Sequence, residues 1–149
     1  MTDITYRELR AGITEAVTSV GNGLTYSKKV LLLEEAPDPL LGRKLFTVDW
    51  PQDRNTEKTR GYPRLRMGPR VLLRMAHRVD LDNQVATQDT RDDDAQATMA
   101  SLADYSYEPI GKIRLKYESG QRITHSSAEW LFTDLYFDCE FDLSLVREQ

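Results

Sequence analysis

Cysteine occurs once in this chain of 149 residues, at Cys139, and histidine twice, at His77 and His125. A single thiol excludes an internal disulfide framework and a multi-cysteine zinc cage, so Cys139 reads as a small buried hydrophobe. No apolar run approaches the ~20 residues that a membrane-spanning helix requires, and no membrane partner is expected. The opening Met1-Thr2-Asp3-Ile4-Thr5 lacks the basic and apolar regions of a secretion signal, which predicts a protein that stays where it is made. Missing too are a glycine-rich phosphate loop, a nucleophile elbow and a histidine-glutamate metalloprotease motif. Motif chemistry therefore predicts no catalytic residue, no metal ligand and no cofactor.

What remains is ordinary globular material, 40% hydrophobic and 30% charged with a net charge of −4. That is enough for one core, read as a single α+β domain over residues 1–149. The charge is segregated. Arg54, Lys58, Arg60, Arg64, Arg66, Arg70, Arg74 and Arg78 face only Glu57 across residues 54–78, whereas Asp80, Asp82, Asp89, Asp92, Asp93 and Asp94 face only Arg91 across residues 80–94.

Thr5 and Glu8 have capping-box spacing, with Ile4 and Leu9 placed as a hydrophobic staple. They predict a helix from Tyr6 to about Val20 with Leu9, Ile13, Ala16, Val17 and Val20 on one face, closed by Gly21 and Asn22-Gly23. Val30-Leu31-Leu32-Leu33, within Lys28 to Glu35, fits a central strand covered on both sides, with a short helix as the competing reading. Lys44 to Trp50 reads as a strand with Phe46, Val48 and Trp50 on one face. Residues 51–69 read as a long basic loop. Arg70 to Asp82 alternates as a strand, and Asp92 or Asp93 is the expected N-cap of a second helix whose buried stripe is Ala95, Met99, Leu102 and Ala103. Ile113, Leu115 and Tyr117 mark a further strand with Glu118 to Gln121 as the turn after it. A last strand from Glu129 to Leu145 places apolar odd positions opposite Asp134, Tyr136, Asp138, Glu140 and Asp142. The sum is an antiparallel or mixed sheet of about four to five strands with two main helices on one face.

Among candidate chemistry, His77 on an apolar strand face reads as a core histidine and His125 as part of a polar connection. The Asp89 to Asp94 cluster lacks the spacing and the glycine of a calcium loop, and reads as helix capping and solvation. A nuclease-like set of Glu34, Asp49, Asp80 and Asp82 has no sequence reason to converge. The basic stretch has three readings: a solvated loop, a surface with Tyr62 that neutralises phosphates, or a protein-docking face. For docking, Arg70, Arg74 and Arg78 share one strand face that the acids of the last strand, Asp134, Asp138 and Asp142, would oppose within a subunit or between subunits. The acidic stretch 80–94 would likewise steer the basic stretch of a neighbour.

The order of these elements resembles the tail terminator proteins of long-tailed phages, of the lambda type. The resemblance runs through the opening helix Tyr6 to Val20, the strand ending in Phe46-Thr47-Val48-Asp49-Trp50, and the arginine-bearing loop before Val71 to Leu81. It continues through the acidic turn, the second helix ending near Leu102 and the late aromatic strand Trp130 to Phe141. It implies a structural virion protein, assembled in the host cytoplasm and located at the tail neck. Its partners would be itself, in a six-membered ring, the tail tube protein and a head-completion or connector protein, with DNA passing through the ring and no catalysis. By that resemblance Arg54, Arg60, Arg64, Arg66 and Arg70 would lie at a ring interface or near the lumen.

Overall fold

The computed structural model describes residues 5–52, 55–57, 64–68, 70–103, 115–125, 129–139 and 141–144. Helix α1 spans Tyr6–Thr18, started by Thr5, whose hydroxyl accepts the Glu8 N–H at 3.1 Å and donates to Glu8 Oε1 at 3.1 Å. This satisfies one of the helix's orphan amides. The staple partner Ile4 lies outside the described residues. Leu9, Ile13 and Val17 are buried, and the chain leaves the helix through Gly21 at φ 75°, a left-handed conformation that favours glycine.

The strands are β1 (Thr25–Tyr26), β2 (Lys44–Gln52), β3 (Asn55–Glu57), β4 (Arg64–Met67), β5 (Arg70–Arg78), β6 (Lys116–Thr124), β7 (Trp130–Asp138) and β8 (Phe141–Ser144). A second helix, α2, spans Gln84–Ala103. Five strands form a mixed sheet in the order β1-β2-β5-β7-β6, with only the β1–β2 pair parallel. A three-stranded sheet has the order β3-β4-β8. The fold is α+β.

One face of the five-stranded sheet, built from Phe46, Val48, Val71, Leu73, Met75, Leu135 and Phe137, buries itself against Leu9, Ile13 and Val17 of α1 and Ala95 and Leu102 of α2. Trp50 and Met99 pack at its margin, and Tyr6 meets Trp50 at 5.6 Å between ring centroids. Full burial of each large side chain contributes roughly 1.5–3 kcal/mol. The opposite face holds Leu45, Ala76, Trp130 and Phe132, covered by Leu31 and Leu41 from the connection between β1 and β2.

Several sequence expectations are corrected here. Residues 28–35 are not a strand: Leu31 alone of the apolar run turns inward, while Val30 is 71% exposed. The segment cannot enter the ladder because β1 takes the place beside β2. Residues 51–69 are not wholly a loop, since β2 runs to Gln52 and β3 and β4 follow. Strand β5 ends at Arg78, short of the expected Asp82, and Leu81 beyond it is 69% exposed. Helix α2 begins at Gln84, capped by Asn83 Oδ1, which accepts the Ala86 N–H at 3.1 Å. Asp92 and Asp93 are therefore mid-helix rather than caps, and Ala103 is exposed. Glu118 to Gln121 are strand, not turn, because β7 offers β6 partners from Lys116 to Thr124, with one irregularity between Tyr117 and Ser119. The last strand is divided, with β7 in one sheet and β8 in the other. On its even face Trp130, Phe132 and Asp134 are buried and Tyr136 and Asp138 are half-buried. Ile113 and Leu145 lie outside the described residues.

Candidate interaction surfaces

Strand β5 is central because both its faces are covered, and that burial decides the fate of its arginines. The β5–β7 register sets Arg70 opposite Asp138, Arg74 opposite Asp134 and Arg78 opposite Trp130. Arg74 Nε and Nη2 donate to Asp134 Oδ1 and Oδ2 at 2.7 and 2.9 Å, a two-point pairing, and Nη1 donates to the Leu31 carbonyl at 2.9 Å. The Asp134 hydrogen bond, against the cost of burial, holds the Arg74 guanidinium protonated beyond its already high range. Asp134 is 1% exposed, so this pair is a structural element of one subunit rather than a free surface. Arg70 turns from Asp138 to Glu118 on β6, at 3.0 Å, and lies 4.0 Å over the Tyr136 ring. Only Arg78 of the three is exposed.

The β4–β8 register puts Arg64 opposite Ser144 and Arg66 opposite Asp142. Arg54 and Arg60 lie outside the described residues, as do Lys58 and Tyr62. The expected arginine face is thus divided between the core sheet and the three-stranded sheet.

His77 is buried, with Nε2 2.7 Å from Asp94 Oδ2, and the same oxygen receives Lys44 Nζ at 2.9 Å. Lys44 Nζ also donates to the Asn22 carbonyl at 2.6 Å. Burial lowers the His77 pKa from 6.5, the Asp94 hydrogen bond and charge oppose this, and the Lys44 and Arg91 charges lower it further. The ring is therefore neutral at pH 7, with its proton on Nε2 toward Asp94. Asp94, read from sequence as part of a solvated acidic cap, is 5% exposed and carries this network. Asp92 bridges Arg91 at 3.2 Å and Arg122 of β6 at 2.9 Å. His125, read as part of a polar connection, is buried with its ring 5.1 Å from that of Phe132, and Cys139 is buried as well.

No group of three or more His, Cys, Asp or Glu side chains among the described residues is arranged to hold a metal ion. Asp80 and Asp82 sit in the turn after β5, Asp49 near the other end of β2 and Glu34 on the exposed connection, so the nuclease-like set is not brought together. A pocket of 220 Å³ at the β5–α2 corner is lined by Arg43, Lys44, His77, Arg78, Asp80 and Thr87, among others. A 260 Å³ cavity lies where Val30, Leu31 and Leu32 approach Thr47, Leu72 and Arg74.

Sequence reasoning missed the exposed apolar side chains. Val30, Leu32, Leu33, Leu40, Leu81 and Val85 stand 37–92% exposed. The signal was present in the unbroken Val30 to Leu33 run, but a run apolar on every side looks like core.

No protein-family model matches the chain, and no curated protein does. Solved structures do. A chain of the structure titled "Virion of native gene transfer agent (GTA) particle" superposes with a TM-score of 0.61 at 13% identity, covering 93% of this chain and 99% of that one. At that identity the likeness is one of fold, and it runs almost end to end in both chains: this protein is similar in architecture to a component of a gene transfer agent virion.

Proposed function

We propose that this chain is a structural protein of a phage-like virion and that it acts by self-association and docking. Its finer role, in this reading, is that of a tail terminator: a ring at the head-proximal end of the tail tube that stops tube growth and receives the head. The observation that carries the reading is the fold shared over 93% of this chain and 99% of a virion component. The exposed leucines and valines of the β1–β2 connection, the turn after β5 and the start of α2 support it, since exposed apolar surface of this kind suits contacts between proteins. A neck or head-completion component is the neighbouring alternative and draws on the same likeness. A nucleic-acid-binding module is less favoured, because Arg70 and Arg74 are engaged by Glu118 and Asp134.

The test is the solution mass by light scattering across protein and salt concentration, alone and with tail tubes. The expected result is a closed ring of six 17.1 kDa subunits, or a monomer that becomes one on tube ends. A monomer indifferent to tubes that binds duplex DNA with strong salt dependence would overturn the reading in favour of the nucleic-acid module.

A further inference from the structure

Six of the exposed large apolar side chains fall into two groups of different chemistry. Val30, Leu32 and Leu33, 71, 42 and 37% exposed, lead directly into the exposed acids Glu34 and Glu35. This segment is held at its base. Lys29 Nζ lies 3.3 Å from Asp38 Oδ2, Leu31 is packed on the sheet, and the Leu31 carbonyl is fixed by Arg74. The leucines and glutamates are therefore presented outward from an anchored support.

The second group lies where β5 leads into α2. Leu81 and Val85 there are 69 and 64% exposed, and Leu40, in the turn that leads into β2, is 92% exposed. Leu40 shortly precedes Arg43 in the chain, and Leu81 and Val85 lie between Asp80 of the turn after β5 and Ala86 and Thr87 of α2, which line the 220 Å³ pocket. Arg43, immediately before β2, and Arg78, at the end of β5, line that pocket and are joined by the Arg78 N–H to the Arg43 carbonyl at 2.9 Å. Both arginines are exposed, and neither forms an ion pair with a described residue. Asp80 is the single acid in the lining, while Lys44 is already engaged by Asp94. The corner offers two available guanidinium groups beside apolar side chains.

The two groups complement each other. Guanidinium forks match carboxylates at two points, and leucines flanking such a pair exclude water from it. We propose that the Leu32-Leu33-Glu34-Glu35 segment of one copy docks on the Arg43, Arg78, Leu81 and Val85 corner of the next. The inference rests on the self-association reading above and names its surfaces. Two different patches meet, so the contact is heterologous: it repeats from copy to copy and closes into a ring where the rotation permits.

The experiment compares the wild-type chain with Glu34→Arg/Glu35→Arg, with Arg43→Glu/Arg78→Glu, and with all four changes in one chain, by light scattering over a concentration series. Circular dichroism verifies folding, which these exposed positions should leave intact. Each double reversal should raise the concentration needed for assembly by about tenfold or more, and the quadruple chain should recover most of that loss. Wild-type assembly that neither reversal changes would overturn these surfaces while leaving self-association standing. Reversals that weaken assembly without rescue in the quadruple chain would also overturn them, since the charges would then not face each other. A wild-type chain that never assembles, even on tubes, would instead remove the underlying reading.

Discussion

Arg74 divides its guanidinium between Asp134 on the neighbouring strand and the carbonyl of Leu31 on the covering segment. With only 16% of the Arg74 side chain and 2% of the Asp134 side chain exposed, solvent screens the pair weakly. Arg74→Met leaves a buried carboxylate unpaired and should cost about 3 kcal/mol in urea unfolding. Arg74→Met with Asp134→Leu should recover most of that, because the desolvated charge is then gone. A double variant as unstable as the single one would mean that the Leu31 contact, not the ion pair, is what matters. The alternation of residues 70–78 and 130–138 was legible, as was the opposition of their charges. Whether that opposition lay within a subunit or between subunits was not, because it depends on the order of strands in the sheet.

At the level of elements, capping chemistry located one helix start correctly and the other wrongly. Thr5 and Glu8 carry a reciprocal signature that few alternatives mimic. In the second helix three consecutive aspartates outshone Asn83, although Asn83 makes the capping bond. Thermal or urea unfolding should separate the two: Asn83→Ala should cost about 1 kcal/mol, whereas Asp93→Asn, at an exposed mid-helix site, should stay within about 0.5 kcal/mol. Strand β6 misled for a related reason, since Ser119-Gly120 has turn composition. Its glycine leaves room for its neighbours: a Cβ at Gly120 would sit 2.7 Å from Tyr117 Oη, the far end of a part-exposed side chain that would have to shift, and 3.3 Å from Leu135 Cδ2. Tyr117 in turn meets Phe137 edge-on at 5.7 Å between ring centroids.

Across the whole molecule, the Asp94 carboxylate draws α2, His77 of β5 and Lys44 of β2 together, and Lys44 reaches the loop after α1 through Asn22. Burial, the first cause of the lowered His77 pKa, makes this network sensitive to acid. Above the ordinary value of 6.5 the ring is neutral in both folded and unfolded chains, and its contribution to stability is complete. As the pH falls below that value the unfolded chain takes up the proton first, so stability is lost until the folded ring protonates as well. Urea midpoints measured downward from pH 6.5 should therefore fall more steeply for the wild-type chain than for His77→Gln; equal slopes would show that other groups govern the acid limb. The sequence by itself determined the α+β class, the first helix, the inward faces of β2 and β5 and the opposed charges, because periodicity and capping are local and survive any tertiary arrangement. Only the tertiary structure decided that Val30 and Leu81 face outward, that Asp94 and Asp134 are buried, and that residues 55–57 and 64–67 form strands. Each of these depends on what a distant part of the chain leaves uncovered or supplies as a partner: β1 occupies the edge of β2, β5 provides the arginine that pairs with Asp134 of its neighbour β7, and β8 completes the smaller sheet.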